Sequence, residues 1–187
     1  MNTNSGNITK LHLGCGKAYL PGWLNVDIFA TARADAYHDV TALPYAPESF
    51  TTIYASHLLE HTHRHMVLAT LNHWVALLKP GGILRLAVPD FAAVCEWYSR
   101  GHKIEDVMGL LYGGQNYHLN RHTVAFDHVS LSGYMAKAGL KDIRKWDWRT
   151  TEHAEHDDYS RAYLPNYKDW DKPGSLHVSL NLEGVKP

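Results

Sequence analysis

The stretch LHLGCG at residues 11–16, followed by WLNVDI at residues 23–28, decides how this chain folds. Both are short apolar runs typical of buried strands; the first ends in a Gly-Cys-Gly turn and the second contains Asp27. Glycines at a strand end let a ligand approach the backbone, and a carboxylate ending the next strand can accept hydrogen bonds from both hydroxyls of a ribose. Taken alone, the first pattern is equally typical of a tight turn, and Asp27 of a surface loop.

Outward from this pair, apolar runs and helical periodicities alternate along the chain. Pro80-Gly81-Gly82 is expected to end one helix, and Asp90 to cap the next. From Leu176 to Leu182 apolar and polar residues alternate, which predicts a strand with one exposed face. The alternation favours a mostly parallel sheet with helices on both faces. Further strands are predicted at residues 34–40, 50–55, 83–88 and 140–148, and helices at residues 66–79, 91–100, 104–111 and 130–138.

The composition excludes several functional classes. The 187 residues are 45% hydrophobic and 20% charged, as in globular rather than disordered or fibrous proteins. With 18 Lys and Arg against 19 Asp and Glu, the net charge of −1 gives no global attraction for nucleic acid or anionic lipid. The apolar stretches are far shorter than the ~20 residues of a membrane helix. We therefore expect a small-molecule substrate, with neither nucleic acid nor membrane as partner.

The chain is expected to form one domain over residues 1–187, since it contains no internal repeat or low-complexity linker. Residues 1–9 are expected to be flexible, and residues 151–174 to form a long loop or lid. The N-terminus lacks the apolar core of a signal peptide, and Cys15 and Cys95 form no disulfide framework. These features predict a cytoplasmic protein. Nothing in the sequence locates a subunit interface.

Five motifs in order, over about residues 10–90, resemble those of class I S-adenosylmethionine-dependent methyltransferases. The stretches at residues 11–16 and 23–28 resemble the first two. The segment spanning the third and fourth strands is matched by HDVTALP at residues 38–44, SF at 49–50 and IYASHLLEH at 53–61, and the fifth motif by LKPGGILRLAVPD at 78–90. AGLKDI at residues 138–143 is a weaker match near the family's C-terminus. The most similar group is the short, type 11-like bacterial methyltransferases often associated with surface-sugar biosynthesis.

The resemblance implies a Rossmann-like, doubly wound sheet of about seven strands, with an antiparallel C-terminal strand and S-adenosyl-L-methionine as cofactor. The glycine turn would contact the methionine end of the cofactor and Asp27 its ribose, while Asp39 with Val40 would contact the adenine. For Asp39 an Asx turn is the plain alternative. The cofactor-binding residues that the resemblance implies are Gly14, Cys15, Gly16, Asp27, Ile28, Asp39, Val40, Ser56 and His57, the last two facing the transferred methyl group.

The chain departs from the family pattern at three points. His12 stands where the family usually has an acid, and Ala18 where it has a third glycine. Only ten residues, 17–26, separate Gly16 from Asp27, against roughly 20 in the general fingerprint. Because Pro21-Gly22 also favours a loop, the first crossover helix is predicted to be shortened or lost, leaving the cofactor site more open on one side.

Histidines are unusually frequent, at 14 in the chain. HLLEH at residues 57–61 matches the H-x-x-E-H zinc-protease signature, in which two histidines of one helix face bind zinc and the glutamate acts as base. A zinc-dependent hydrolase is a minor alternative, because that chemistry requires a third protein ligand on a suitable scaffold. We assign no metal ligands.

Methyl transfer is mainly a matter of proximity and alignment, to which a base can add ~10²–10⁴-fold for a hydroxyl or amine acceptor. Candidate bases are His57, His61, His118 and His128, and for any one of them a surface or structural role is the more common one. The last two lie where the acceptor pocket of the family is usually built. The leading hypothesis is methyl transfer to a small polar acceptor, such as a sugar or sugar-derived metabolite. The alternative is a non-catalytic module that binds S-adenosylmethionine or S-adenosylhomocysteine.

Overall fold

A computed structural model describes residues 8–156 and 158–187, in which seven strands form one sheet. Their order is β3-β2-β1-β4-β5-β9-β6, with neighbours from β3 to β5 parallel and β9 antiparallel to both β5 and β6. This is the predicted Rossmann-like, mostly parallel sheet with an antiparallel C-terminal strand. The strands are β1 (Lys10–Leu13), β2 (Leu24–Asp27), β3 (Ala36–Tyr37), β4 (Phe50–Ser56), β5 (Leu78–Pro89), β6 (Lys141–Lys145) and β9 (Ser179–Val185), and a separate hairpin contains β7 (Tyr163–Leu164) and β8 (Leu176–His177).

Four α-helices and four 3-10 turns connect these strands. None of the helices in the described ranges is long and apolar enough to cross a membrane. The predicted cap is confirmed, because the Asp90 carboxylate accepts a hydrogen bond from the Ala92 amide. The helices are α1 (Val67–Leu77), α2 (Phe91–Ser99), α3 (Met108–Tyr112) and α4 (His128–Lys137), and the 3-10 turns are Leu59–His61, Ile104–Val107, Trp148–Thr150 and Tyr159–Arg161.

Helices α1 and α4 pack together on one face of the sheet. Strand side chains alternate between faces, so Leu11, Ile53 and Leu86 point towards these helices. Trp74 of α1 and Met135 of α4 fill the space above them, and all five side chains are fully buried. Burial of this size contributes about 2–3 kcal/mol per large side chain, which makes this face the main core.

The opposite face is covered without a first crossover helix, as predicted. Residues 17–23 form turns and extended chain, and they place Trp23 over the sheet. Tyr54 of β4 is fully buried there, between the rings of Trp23, Trp146 and His153. Trp146 and His153, from the chain after β6, therefore cover the surface that the short crossover leaves uncovered.

His12 is part of the same cover rather than of the ligand-facing edge. Its ring stacks on Tyr54 at 5.3 Å between centroids, and its Nδ1 lies 3.0 Å from the Asn25 Oδ1. Burial lowers the pKa of His12, so the imidazole is neutral in the folded protein. A neutral aromatic ring suits this face, where an acid would be surrounded by aromatic side chains.

The exposed face expected for the C-terminal strand is a wrong prediction. Ser179, Asn181 and Glu183 of β9 are all buried, although they alternate with apolar residues. Asn181 Nδ2 donates to the Ser160 carbonyl at 2.8 Å, and Glu183 accepts from Arg85 at 3.0 Å. The segment around residues 146–162 covers this face, so polar partners replace water.

Several element boundaries also differ from the prediction. The helix predicted at residues 66–79 ends at Leu77, because β5 begins at Leu78 and continues through the Pro-Gly-Gly turn. The Gly81 amide donates to the Lys186 carbonyl at 2.8 Å, so the C-terminus holds this turn in the sheet. The strand predicted at residues 34–40 is reduced to Ala36–Tyr37. The expectation of a flexible N-terminus concerns residues 1–9, of which residues 1–7 lie outside the described ranges.

The stability of the fold is expected to fall in mild acid because His153 is buried, with 3% exposure. Burial lowers its pKa from 6.5 to about 4; Asp158 and Glu152 oppose the shift, and Arg85 and His12 add to it. The unfolded chain therefore binds a proton between these values that the folded chain does not, so stability is lost as pH falls from 6.5 towards 4.

His153 alone should reduce the free energy of unfolding by about 2 kcal/mol between pH ~7.5 and pH ~5. Urea unfolding at both pH values measures this loss, and His153→Phe, which keeps the aromatic packing, should show a smaller loss. The same pH dependence in both proteins would contradict the assignment.

Candidate active site

The glycine turn after β1 has a backbone that only glycine adopts readily. Gly14 and Gly16 have φ values of +63° and +51°. A Cβ on Gly14 would lie 2.8 Å from Leu58 Cδ1, whereas a Cβ on Gly16 would meet nothing within 4 Å. Gly14 therefore permits close packing against the chain that follows β4, and Gly16 leaves open space beside the backbone.

Asp27 holds this turn from the end of β2. Its Oδ2 accepts a hydrogen bond from the Gly16 amide at 2.8 Å, and its Oδ1 accepts one from the Phe29 amide at 2.9 Å. Each carboxylate oxygen has a further lone pair. A carboxylate that both fixes a glycine turn and borders open space fits the ribose of a nucleoside cofactor.

The other residues implied for the cofactor lie along the same edge of the sheet. Ile28 is 49% exposed and directly follows Asp27. Asp39 forms the Asx turn that the sequence allowed, because its Oδ1 accepts from the Thr41 amide at 2.8 Å and hydroxyl at 2.7 Å. The Val40 carbonyl accepts from the Trp74 indole at 2.8 Å, which fixes this turn to α1.

Cys15 lies within the glycine turn but is not a reactive thiol. Its side chain is 3% exposed, and its Sγ lies 3.5 Å from the Arg33 carbonyl. Burial, followed by the Asp27 charge, raises the pKa of Cys15 to about 12. The thiol therefore stays protonated and packs under the turn.

At the end of β4, Ser56 and His57 meet the segment that contains Asp158. Ser56 Oγ donates to Asp158 Oδ1 at 3.4 Å, and the Tyr54 hydroxyl donates to Asp158 Oδ2 at 2.7 Å. The His57 ring lies 5.4 Å from the Tyr159 ring, between centroids. Part of the predicted loop or lid at residues 151–174 is thus anchored to β4 by a buried carboxylate.

His57 has a left-handed backbone conformation, with φ of +49°, and the 3-10 turn Leu59–His61 follows it. Its Nε2 lies 3.1 Å from Ser179 Oγ, and its Nδ1 lies 3.5 Å from Glu60 Oε1. The Glu60 side chain is 1% exposed. His57 and His61 do not share a helix, so the arrangement of the zinc-protease signature is not formed.

His122 completes a cluster of imidazoles around Glu60. Its Nε2 lies 3.9 Å from Glu60 Oε1, and its ring lies 4.8 Å from the His61 ring between centroids. Burial, followed by the neighbouring imidazoles, lowers the pKa of His57 to about 3, and burial raises the pKa of Glu60 to about 8. Burial also lowers the pKa of both His61 and His122. The three imidazoles are therefore neutral near pH 7.

The candidate bases are only partly brought together. His57 and His61 lie in this cluster, while His118 is exposed in the chain before β6 and His128 is exposed at the first turn of α4. Sequence reasoning did not select Glu60 or His122 as site residues. The H-x-x-E-H match pointed to Glu60, but no local pattern connects it with His122, 62 positions further along (122 − 60).

Strands β3 to β5 of the sheet are parallel, and the C-terminal strand β9 lies antiparallel between β5 and β6. Together with a glycine turn that faces an acid on β2, this is the class I methyltransferase fold. A family model described as a methyltransferase domain matches residues 4–145. The chain therefore belongs to this family and is an S-adenosylmethionine-dependent methyltransferase, as the motifs predicted. The open space beside Gly16 and the carboxylate of Asp27 fit the cofactor.

Solved structures of similar fold agree with this assignment. One is a Thermotoga maritima S-adenosylmethionine-dependent methyltransferase with TM-score 0.57 and 16% identity, covering 95% of this chain and 82% of the other. Another is an Archaeoglobus fulgidus S-adenosylmethionine-dependent methyltransferase with TM-score 0.56 and 12% identity, covering 96% and 88%. A third belongs to a Haloferax volcanii complex of the Trm112 methyltransferase activator with a methyltransferase, with TM-score 0.57 and 17% identity, covering 97% and 83%. No curated protein matches the chain significantly.

Proposed function

We propose that this methyltransferase transfers a methyl group to a hydroxyl of a small polar acceptor, a sugar or a sugar-derived metabolite. The observation that carries the proposal is that polar Ser56 and His57, at the end of β4, contact Asp158 and the aromatic Tyr159 respectively. Tyr159 is 62% exposed, so its ring can stack on the apolar face of a sugar while hydroxyls reach the polar groups. Neither nucleic acid nor membrane is a proposed partner, and the proposed location is the cytoplasm.

The glycine turn and the two acids behind it are proposed to hold the cofactor. Gly14, Cys15 and Gly16 would border its methionine end, since their turn opens to free space at Gly16, and Asp27 would accept from the ribose hydroxyls. Ile28, Asp39 and Val40 would contact the ribose and adenine from the ends of β2 and β3. When bound, S-adenosylmethionine would supply the methyl group from its sulfonium. The acceptor oxygen would bond to the methyl carbon as the carbon–sulfur bond breaks, and the electron pair would stay on sulfur.

The protein's own contribution is alignment and handling of the acceptor proton. Ser56 and His57 lie closest to the glycine turn, because Leu58 packs against Gly14. His57 is a weak base, since burial lowers its pKa to about 3, and its two ring nitrogens already face Ser179 Oγ and Glu60, so it would line the acceptor pocket rather than take the proton. A base role for His61, His118 or His128 stays a prediction.

The sequence also allows two other functions, a non-catalytic binding module and a zinc-dependent hydrolase. A non-catalytic binding module would keep the cofactor residues without an acceptor site, and the loop in place of the first crossover helix is the observation in its favour. A zinc-dependent hydrolase using His57-Leu58-Leu59-Glu60-His61 has lost its support, because His57 and Leu58 lie in a bend after β4 and Leu59–His61 form a 3-10 turn instead of a helix.

Product mass spectrometry tests the proposal with a panel of monosaccharides, nucleotide sugars and small amines. We expect one added methyl group on a sugar hydroxyl in the presence of S-adenosylmethionine. Transfer to amines alone would contradict the choice of acceptor. Cofactor binding without transfer to any compound would favour the binding module.

A further inference from the structure

Beside the end of β4, a buried carboxylate faces imidazole nitrogens without a hydrogen bond of its own. Glu60 is 1% exposed, and neither of its oxygens has a hydrogen-bond partner among the described residues. Leaving such a group unpaired costs several kcal/mol, so an unpaired buried carboxylate usually marks an ion or a proton. Ligand atoms of Glu60, His61 and His122 all lie within 4.8 Å of one another.

The hydrogen bonds of these histidines decide which nitrogens face the carboxylate as acceptors. His61 Nδ1 donates to the Arg121 carbonyl at 3.2 Å, and His122 Nδ1 donates to the Leu110 carbonyl at 2.8 Å, because a carbonyl can only accept. The neutral His122 ring then keeps an unprotonated Nε2, while the His61 ring contacts the carbonyls of both Arg121 and Leu119. A ring N–H held by a backbone carbonyl, with the other nitrogen left free, is the arrangement that metal-binding histidines show.

His57 repeats this arrangement from the other side of Glu60. Ser179 Oγ donates to Asn181 Oδ1 at 2.9 Å, and the Asn181 amide is oriented by its own donation to the Ser160 carbonyl. Ser179 Oγ is therefore the acceptor for His57 Nε2, which leaves the lone pair of His57 Nδ1 directed at Glu60 Oε1, 3.5 Å away. Among the described side chains, only ring nitrogens lie close to this carboxylate, and a cation or a proton is what can join them to it.

We propose that Glu60, His61 and His122 bind a divalent transition-metal cation and leave its fourth coordination position open. Two imidazoles and one carboxylate are a donor set typical of Zn²⁺ and of other first-row divalent metals. Ligands at about 2.1 Å from a tetrahedral ion lie roughly 3.4 Å apart. The 3.9 Å between His122 Nε2 and Glu60 Oε1 is close to that spacing, and ligand atoms up to 4.8 Å apart would have to approach by about 1.4 Å on binding.

The place of this cation gives it a role in the transfer, and that role rests on the proposed function. Leu58 joins the cluster to the glycine turn, since it packs directly against Gly14. A divalent cation lowers the pKa of a bound water from about 16 towards 7, and it would acidify an acceptor hydroxyl in its open position in the same way. The hydroxyl would lose its proton to water, and the acceptor oxygen would form the bond to the methyl carbon as the carbon–sulfur bond breaks, with its electron pair staying on sulfur.

Metal retention by the purified chain tests the site directly. Protein prepared without a histidine tag is stripped with a chelator, dialysed against ZnCl₂ or MnCl₂ and then against buffer, and analysed by mass spectrometry for metals. We expect about one ion per chain and a higher unfolding temperature with the metal. Glu60→Gln and His122→Asn should each retain at least about tenfold less metal, a loss of roughly 1.4 kcal/mol.

A matched control separates the cluster from surface histidines. The double variant His63→Ala with His65→Ala removes two exposed imidazoles of the same segment and should retain metal like the unaltered chain. Circular dichroism establishes that each variant is folded. Retention below about 0.1 ion per chain, or undiminished retention in folded Glu60→Gln, would overturn the proposal.

Calorimetry with S-adenosylhomocysteine on the same preparations separates this inference from the proposed function. If metal-free protein binds S-adenosylhomocysteine and methylates a sugar, the cation has no role in the transfer, and the proposed function stands. If metal binds at the cluster but the protein methylates no acceptor, the metal site stands and the proposed function is refuted.

Discussion

Asp27→Asn is expected to weaken the binding of S-adenosylhomocysteine about 100-fold, because each hydrogen bond to a charged group contributes about 1.5–3 kcal/mol. The carboxylate of Asp27 accepts from the amides of Gly16 and Phe29 at once. An asparagine has only one acceptor oxygen, so either orientation of its amide places NH₂ against a backbone N–H. The glycine turn then loses a support and the ribose loses a charged partner.

Isothermal titration calorimetry measures this change, well below the unfolding temperature of each variant. Asp171→Asn is the matched control, since it makes the same substitution at an exposed carboxylate outside the site. It should bind S-adenosylhomocysteine as the unaltered chain does. An affinity of Asp27→Asn within about threefold of the control would show that Asp27 does not hold the cofactor.

The second large effect is expected at Asp158, where Asp158→Ala should reduce the free energy of unfolding by about 3 kcal/mol. Its carboxylate accepts from the Tyr54 hydroxyl at 2.7 Å and from the Ser160 amide at 2.8 Å, both in buried surroundings. Removing it leaves each donor without a partner, at a cost of about 1–3 kcal/mol for each. The 3-10 turn that carries Tyr159 loses its connection to β4, so sugar methylation should fall with stability.

Urea unfolding measures the loss, and a double-mutant cycle with Tyr54→Phe isolates the hydrogen bond. In the Tyr54→Phe background, Asp158→Ala should cost less, because one of the two donors is already absent. Asp171→Ala is the exposed control and should change the free energy of unfolding by less than about 0.5 kcal/mol. A loss below about 1 kcal/mol in Asp158→Ala, or an equal loss in both backgrounds, would contradict the anchoring role.

Local patterns predicted the parts of the fold that local sequence determines. The apolar runs ending at Leu13 and Asp27 are strands, and the short interval between them contains no helix, as Pro21-Gly22 indicated. The capping aspartate at position 90 begins α2 as expected. Such features depend on residues within a few positions, so a single sequence contains them.

Contacts between distant segments were the part that periodicity missed. Strand β9 alternates polar with apolar residues, yet both of its faces are buried because Arg85 and the chain around Ser160 supply polar partners. Alternation reports the polarity of a face and not what covers it.

The candidate site divides in the same way. The glycine turn and Asp27 follow from spacing along the chain, whereas the imidazole cluster depends on His122, which a long connection brings back to Glu60. Among the candidate bases, His118 and His128 rest on the family resemblance, which puts the acceptor pocket in this part of the chain, and the structure places both on the surface. Only tertiary packing distinguishes His122 from them, through its hydrogen bond to the Leu110 carbonyl.

The glycine turn and Asp27 together are expected to bind the cofactor of a working methyltransferase. Titration of the unaltered chain with S-adenosylhomocysteine in a calorimeter tests this binding. We expect saturable binding of one molecule per chain, competed by S-adenosylmethionine and weakened in Asp27→Asn. No heat of binding from either compound at millimolar concentration, in protein that unfolds cooperatively, would contradict it.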